Sequence, residues 1–259
     1  MEPTQIKAVF VDFDGTTFRH DIYEIPASTS DALKQLKQKG IKLGLLTNRT
    51  PEETIHLPSA FSGLMDSLLW SAGSVIVENG VTTMVTIDPI DVEITIRYAR
   101  THHLVVRYSN GSEGYFDGWT DTIYTAIFQR LYHITPSIKV WDNDPCVNII
   151  VFCEVEQRVE LAKLLKRSTS TKMTLTLEIT PLGIDKGTAL VAQCKRWHIP
   201  IESSIAFGDG MNDITMLQAA GIGIAMGNAL EEVKAAADMI CGKIEDDGLY
   251  DCVKELGLL

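Results

Sequence analysis

Short apolar runs alternate with amphipathic stretches at both ends of this chain. Lys7-Ala-Val-Phe-Val-Asp12 and Ile41-Lys-Leu-Gly-Leu-Leu-Thr47 are nearly continuous in apolar residues. That is the pattern of strands buried on both faces of a parallel sheet. Between them, Leu33 and Leu36 share one face of a helix predicted from about Ser30 to Lys39, with Gly40 as its stop. Pro51-Glu52-Glu53 predicts the opening of the next helix. Strand, helix, strand, helix in that order predicts an α/β, doubly wound sheet.

The rhythm then changes. Val75-Ile-Val-Glu and Val81-Thr-Thr-Met-Val flank Asn79-Gly80, the strongest short-range hairpin signal. From about Asp88 to Thr180 the pattern predicts helix, two strands, helix, strand, helix, strand. In the last of these, Met173-Thr-Leu-Thr-Leu-Glu-Ile, Leu175 and Leu177 alternate with threonines, as in a half-exposed antiparallel strand. After Pro181 the first rhythm returns. Helices over about Lys186–Trp197, Asp213–Ala219 and Ala229–Ala236 each lead to an apolar run: Ser204–Gly208, Ile222–Met226 and Met239–Cys241. A last helix ends the chain. Residues 1–84 and 181–259 thus predict one doubly wound, mainly parallel, Rossmann-like core, interrupted over 85–180 by an inserted α+β domain.

Apolar residues are 45% of the 259 and charged residues 22%, enough for a packed core and unlike a disordered chain. Lys plus Arg total 23 against 34 Asp plus Glu, a net charge of −11. Such a surface repels phosphate backbones and anionic lipids, so neither nucleic acid nor a membrane is an expected partner. No apolar run approaches the roughly 18 residues of a membrane span. The start, Met1-Glu-Pro-Thr-Gln-Ile-Lys7, shows no cationic segment followed by an apolar one, so no secretory leader is expected. Cys146, Cys153, Cys194, Cys241 and Cys252 form no C-x-x-C pair, which predicts reduced thiols in a cytoplasmic protein. A monomer or small homo-oligomer is expected.

Ligands of open α/β sheets sit beyond the carboxyl ends of the strands, and four polar groups fall there. Asp12 and Asp14 flank the end of the first strand, with Gly15 permitting a turn and Gly15 and Thr16 offering backbone donors to a phosphate. Two carboxylates so close repel unless a cation or shared proton intervenes. Thr47 ends the second strand and either satisfies local backbone or holds a phosphoryl oxygen. Lys186 opens a helix against its dipole, as a surface lysine or as one facing an anion. Gly208-Asp209-Gly210-Met211-Asn212-Asp213 is a second acidic loop. Asp213 suits a helix cap, whereas Asp209 between two glycines implies close approach to something. Asp12, Asp209 and Asp213 together are hard oxygen ligands without His or Cys, which favours Mg²⁺ over zinc.

Asp-x-Asp-Gly-Thr, a strand-end Thr, a helix-opening Lys and Gly-Asp-Gly-x-Asn-Asp, in that order, resemble the haloacid dehalogenase (HAD) superfamily. The insertion between the Thr and the Lys resembles the C2-type cap of its Cof-type phosphatase branch. So do Ala225-Met-Gly-Asn-Ala229, Ala237-Asp238 and Asp246-Asp-Gly248. The resemblance implies a Mg²⁺-dependent phosphatase acting on a small phosphorylated metabolite, a sugar phosphate or similar monoester. It implies Asp12 as nucleophile, forming an aspartyl phosphate, and Asp14 as the acid and then the base. It further implies Thr47 and Lys186 on the transferring oxygens, and Asp12, the Asp14 carbonyl and Asp209 on the metal, with Asn212 and Asp213 in support. The family's Thr-Gly-Arg reads Thr47-Asn48-Arg49 here; the resemblance implies Asn48 and Arg49 as substrate-binding residues, with Asn48 in place of Gly altering a backbone contact and the contacts to the leaving group. The family's Asn-Gly-Ala reads Ala72-Gly73-Ser74. A phosphomutase of the same superfamily and a non-catalytic phosphate-binding module are the alternatives.

Other features carry less. Gly221-Ile-Gly-Ile-Ala-Met-Gly227 follows a helix and is not a dinucleotide fingerprint. His102 and His103 suit a helix end, and the four tryptophans suit core or interface. Asn110-Gly-Ser-Glu-Gly114 predicts a hairpin turn in the cap; should it dip into the site, Arg107 and Tyr115 would be the first to meet substrate.

Overall fold

The computed structural model describes residues 6–173 and 175–259. The segment before Ile6, in which no leader was expected, and Thr174 of the predicted last cap strand lie outside the described residues.

The first strand, β1 (Ala8–Val11), is followed by α1 (Ala27–Gln38), β2 (Lys42–Leu46), the one-turn helix α2 (Ser59–Ser62), β3 (Ser67–Trp70), β4 (Val75–Glu78) and β5 (Val81–Met84). Helix α1 starts three residues earlier than its apolar spacing predicts, directly after Pro26, and buries Leu33 and Leu36 as expected. Gly40 follows its end with φ +79°, the left-handed stop. Pro51 opens only a single 3₁₀ turn, Pro51–Thr54, rather than a helix. Pro58, which has no N–H to give and disfavours helix before it, starts α2 afresh. The Asn-Gly hairpin forms as predicted: Asn79 and Gly80 take φ +51° and +75°, the left-handed pair of a type I′ turn.

The chain then builds a second sheet: α3 (Pro89–Thr101), β6 (Val105–Ser109), β7 (Gly114–Phe116), α4 (Thr122–Tyr132), β8 (Ser137–Ile138), β9 (Asn148–Phe152), α5 (Val155–Leu164), β10 (Ser168–Lys172) and β11 (Thr176–Pro181). Its order is β10-β11-β9-β6-β7-β8, antiparallel except for the last pair. Two strands exceed the prediction. β8 has two residues, and β10 reads Ser-Thr-Ser-Thr-Lys, which has no apolar alternation to betray it. β11 is antiparallel to both neighbours, but it starts at Thr176 and leaves Leu175 exposed.

The chain returns through α6 (Lys186–Arg196), β12 (Ser204–Gly208), α7 (Ile214–Ala219), β13 (Ile222–Ala225), α8 (Glu231–Ala236), β14 (Met239–Ile240) and α9 (Gly248–Glu255). The first sheet is ordered β14-β13-β12-β1-β2-β3-β4-β5, parallel from β14 to β3. Its two faces hold separate cores. Val9 and Val11 pack with Leu33, Leu36 and Val253 on one side; Phe10, Leu46 and Ala206 pack with Leu190 and Leu217 on the other. This is a doubly wound α/β core with an inserted α+β sheet. The five cysteines are free. Among the described residues no helix is long and apolar enough to cross a membrane.

Candidate active site

β1 lies between β12 and β2 at the centre of the parallel sheet, where the chain winds away in both directions. Ligands of such sheets bind at that switch point. Asp12 follows β1, Thr47 follows β2 and Asp209 follows β12, so strand pairing alone gathers three of the predicted residues.

Asp12 is buried, and its Oδ1 accepts from Lys186 Nζ at 2.6 Å. The same ammonium reaches Asp213 Oδ1 at 2.5 Å. Asp213 Oδ2 accepts the N–H groups of Asp209 and Gly210 at 2.9 and 2.8 Å. Both Asp213 oxygens are thereby engaged, so this residue fixes the acidic loop and Lys186 together. Burial alone would lower Lys186, but the carboxylates of Asp12 and Asp213 outweigh it and hold the ammonium charged. That charge answers the question of a lysine at a helix start: the capping box of Asp185 and Thr188 closes the helix, and Lys186 turns to the two carboxylates.

Asp209 completes a cluster. One carboxylate oxygen each from Asp12, Asp209 and Asp213 lies within 4.8 Å of the others. Burial, and then the charge of Asp213, push Asp12 up from its ordinary range. The same causes push Asp209 up to about 7, against the hydrogen bond from Thr16. The Thr16 hydroxyl donates to Asp209 Oδ1 at 2.9 Å. Gly15, expected as a phosphate donor, gives its N–H instead to the Phe18 carbonyl at 3.0 Å, because the loop turns back on itself there. What glycine supplies is room. With φ +75°, a Cβ at this position would lie 2.2 Å from Asp209 Oδ2. Asn228 ties the two loops, donating to the Gly15 carbonyl at 2.8 Å.

Asp14 faces the cavity. Arg49 grips it with two bonds, Nε to Oδ2 at 2.9 Å and Nη2 to Oδ1 at 2.6 Å, and His20 Nε2 lies 2.7 Å from Oδ1. Burial opposes its ionisation, but the hydrogen bonds of His20 and Arg49 win and hold it down to about 2. Arg49 itself lies 4.7 Å from the ring centroids of both Phe13 and Tyr132. The Thr47 hydroxyl accepts from the Arg49 N–H at 3.1 Å, which leaves its own O–H available to donate.

These groups line one cavity of about 320 Å³: Asp12, Asp14, Thr47, Asn48, Arg49, Asp209 and Asn212 from the core, and Leu131, Tyr132, Ile150, Met173, Thr176 and Glu178 from the inserted domain. All the predicted polar side chains except Thr16, Lys186 and Asp213 line it, and those three back it. The hairpin at Asn110–Gly114 does not. A Cβ at Gly111 would meet Met84, Val147 and Val75, and Arg107 is fully buried, spanning to Glu52 at 2.7 Å and Glu53 at 2.8 Å. Arg107 therefore joins the two sheets and meets no substrate, because its charge is spent on carboxylates behind the Arg49 loop. Asn228 was quoted only within the Ala225–Ala229 motif and given no role; His20, Tyr132 and Glu178 were missed. Only Glu178 carried a signal: a carboxylate between Leu177 and Ile179 in an apolar strand needs partners.

Comparison with known proteins agrees with this geometry. The family model described as haloacid dehalogenase-like hydrolase matches residues 9–253. A curated relative, the 5-amino-6-(5-phospho-D-ribitylamino)uracil phosphatase YcsE of Bacillus subtilis, is 25% identical over 98% of this chain and 96% of its own length. The HMP-PP phosphatase of Yersinia pseudotuberculosis is 29% identical over 92% of this chain and 90% of its own. Among solved structures, a sugar phosphatase of HAD subclass IIB superposes with a TM-score of 0.90 at 25% identity, over 98% of this chain and 100% of that one.

Proposed function

Since the chain belongs to the haloacid dehalogenase-like hydrolases and is a phosphatase, we propose that it cleaves small phosphomonoesters, sugar phosphates among them, through a phosphorylated Asp12. The inserted sheet, residues 85–180, would act as a cap over the leaving group, and free thiols suit a reducing, cytoplasmic setting. The observation that carries this is the convergence of Asp12, Lys186, Asp209 and Asp213 in one buried cluster, beside an acid/base carboxyl that the cluster does not consume.

The donor set fits a hard divalent cation. It is all oxygen, it crowds three carboxylates around one ammonium, and it includes a glycine cleared for Asp209. Asp12, Asp209 and the Asp14 carbonyl would hold Mg²⁺, with Asp213 and Asn212 in support. When bound, the ion supplies charge neutralisation for a phosphoryl group in flight.

The rest falls to the chain's own residues. An Asp12 oxygen attacks phosphorus in line while the ester P–O bond breaks. Thr47 and Lys186 neutralise and orient the equatorial oxygens. A dianionic phosphate arriving beside Arg49 competes with Asp14 for the guanidinium and loosens its hold. Asp14 then takes a proton from solvent water and delivers it to the departing alkoxide. In the second half, the Asp14 carboxylate accepts a proton from water. That water attacks the acyl phosphate, and Asp12 is released with inorganic phosphate. Covalent capture splits one hard displacement into two.

Incubation with a panel of phosphorylated metabolites tests this. Free phosphate without isomerised product is expected, abolished by EDTA and restored by Mg²⁺. An isomerised phosphosugar would make the protein a mutase, and activity indifferent to EDTA would remove the metal.

A further inference from the structure

Away from the Asp12 cluster, the cavity wall is made by Asn48, Tyr132, Ile150, Thr176 and Glu178. Glu178 is 5% exposed on β11. A carboxylate this deep persists only when hydrogen-bonded. Asn148 Nδ2 donates to Oε1 at 2.7 Å, and Asn48 Nδ2 donates to Oε2. Burial pushes the Glu178 carboxyl up from its ordinary value, and the two amides pull it back. Both donors are neutral amides; of the charged groups nearby, the Lys186 ammonium favours the ionised form and Glu53 opposes it.

The second observation is Asn48 Oδ1. It is buried and has no partner, and turning the amide round would set it against Glu178. A buried acceptor left without a hydrogen bond is destabilising, so this atom asks for a donor. The cations around the cavity are already engaged. Arg49 is held on Asp14, Lys186 on Asp12 and Asp213, and Arg107 on Glu52 and Glu53. The leaving-group wall thus offers acceptors and negative charge, and no uncommitted cation among its lining residues.

Taking the cavity as a phosphomonoester site, we propose that Glu178, fixed by Asn48 and Asn148, is a specificity-determining residue. It favours leaving alcohols that are uncharged and carry hydroxyl donors, and it rejects substrates bearing a second phosphate or carboxylate. The hydroxyl meets Asn48 Oδ1 and the Glu178 edge. A second anion meets the like charge of Glu178 while Arg49 is shared between Asp14 and the reacting phosphate, and such repulsion is how sites discriminate against near neighbours.

The experiment compares kcat/KM for a hexose monophosphate and the matching hexose bisphosphate in the wild type, Glu178→Gln and Glu178→Asp. The wild type prefers the monophosphate by about tenfold or more, the scale of one unpaired like-charge contact. Glu178→Gln lowers that preference about tenfold, chiefly through KM for the bisphosphate. Glu178→Asp, which keeps the charge, retains it. A measurement needing no variant supports these: the bisphosphate inhibits monophosphate hydrolysis only with a Ki well above the monophosphate KM. An active wild type that turns over both substrates equally, or an unchanged ratio in Glu178→Gln, overturns the role of Glu178 alone. A wild type inactive on all monoesters overturns the phosphatase reading and this one together.

Discussion

At the scale of single residues, the site is a set of charges held where water would not let them stay. Asp209 illustrates this. Burial beside Asp213 raises its carboxyl from 3.8 to about 7. The metal-free fold therefore binds that proton more tightly than the unfolded chain. Its contribution to stability is full below the unfolded value and is lost as pH rises through about 7. A divalent cation needs the carboxylate, so it must displace the proton. Calorimetric titration with Mg²⁺ is expected to show about tenfold weaker binding near pH 6 than near pH 8. Affinity independent of pH over that range would contradict the placement of Asp209 on the metal. Asp14 behaves oppositely. Held at about 2, it favours the fold above its unfolded value and loses that contribution only as pH falls toward 2, outside the Asp209 window.

Among elements, the segment Thr47–Thr54 does the most. Thr47 lines the cavity beside Asp12, Asn48 reaches Glu178, Arg49 packs on Tyr132, and Thr50, Glu52 and Glu53 receive Arg107. Arg107→Met leaves the buried Glu53 and the half-buried Glu52 without their cation. Removing one partner of a buried pair costs about 3–5 kcal/mol, to be read as loss of unfolding free energy in urea. A change under about 1 kcal/mol would mean the contact is not holding the sheets together. Adding Glu53→Gln should recover part of the loss, since the two sites share one network. This segment is also where the sequence misleads. Its Pro-Glu-Glu looks like a helix start, yet Pro58 follows too soon for one to form. β10 was invisible for a different reason: its serines and threonines carry no apolar period, and it is held by pairing with β11. By contrast β1, β2 and the Asn79-Gly80 turn were legible, because a fully buried strand and a left-handed turn each demand particular residues.

For the whole molecule, the parallel order was legible and its consequence followed. Once strands β12, β1 and β2 are adjacent, their ends must bring Asp209, Asp12 and Thr47 together. The inserted sheet was legible as strands and helices but not as a surface. Which of its side chains overhang the core depends on how the two sheets meet, and no local period records that. Hence Arg107 looked like a substrate contact and is a structural tie, while Glu178 and Tyr132 went unremarked and line the cavity. The proposed cap role rests on their place in that wall, from which the inserted domain would meet the leaving group and exclude water.

All of this depends on Asp12 carrying the phosphoryl group. The direct test uses Asp14→Asn, which slows the second step, with p-nitrophenyl phosphate and Mg²⁺. Acid quenching, borohydride reduction and peptide mass spectrometry then locate any acyl phosphate, which the reduction converts to homoserine. Homoserine at position 12 is the predicted result. Its appearance at position 209 instead, or its absence at every time while phosphate is released, would contradict the account.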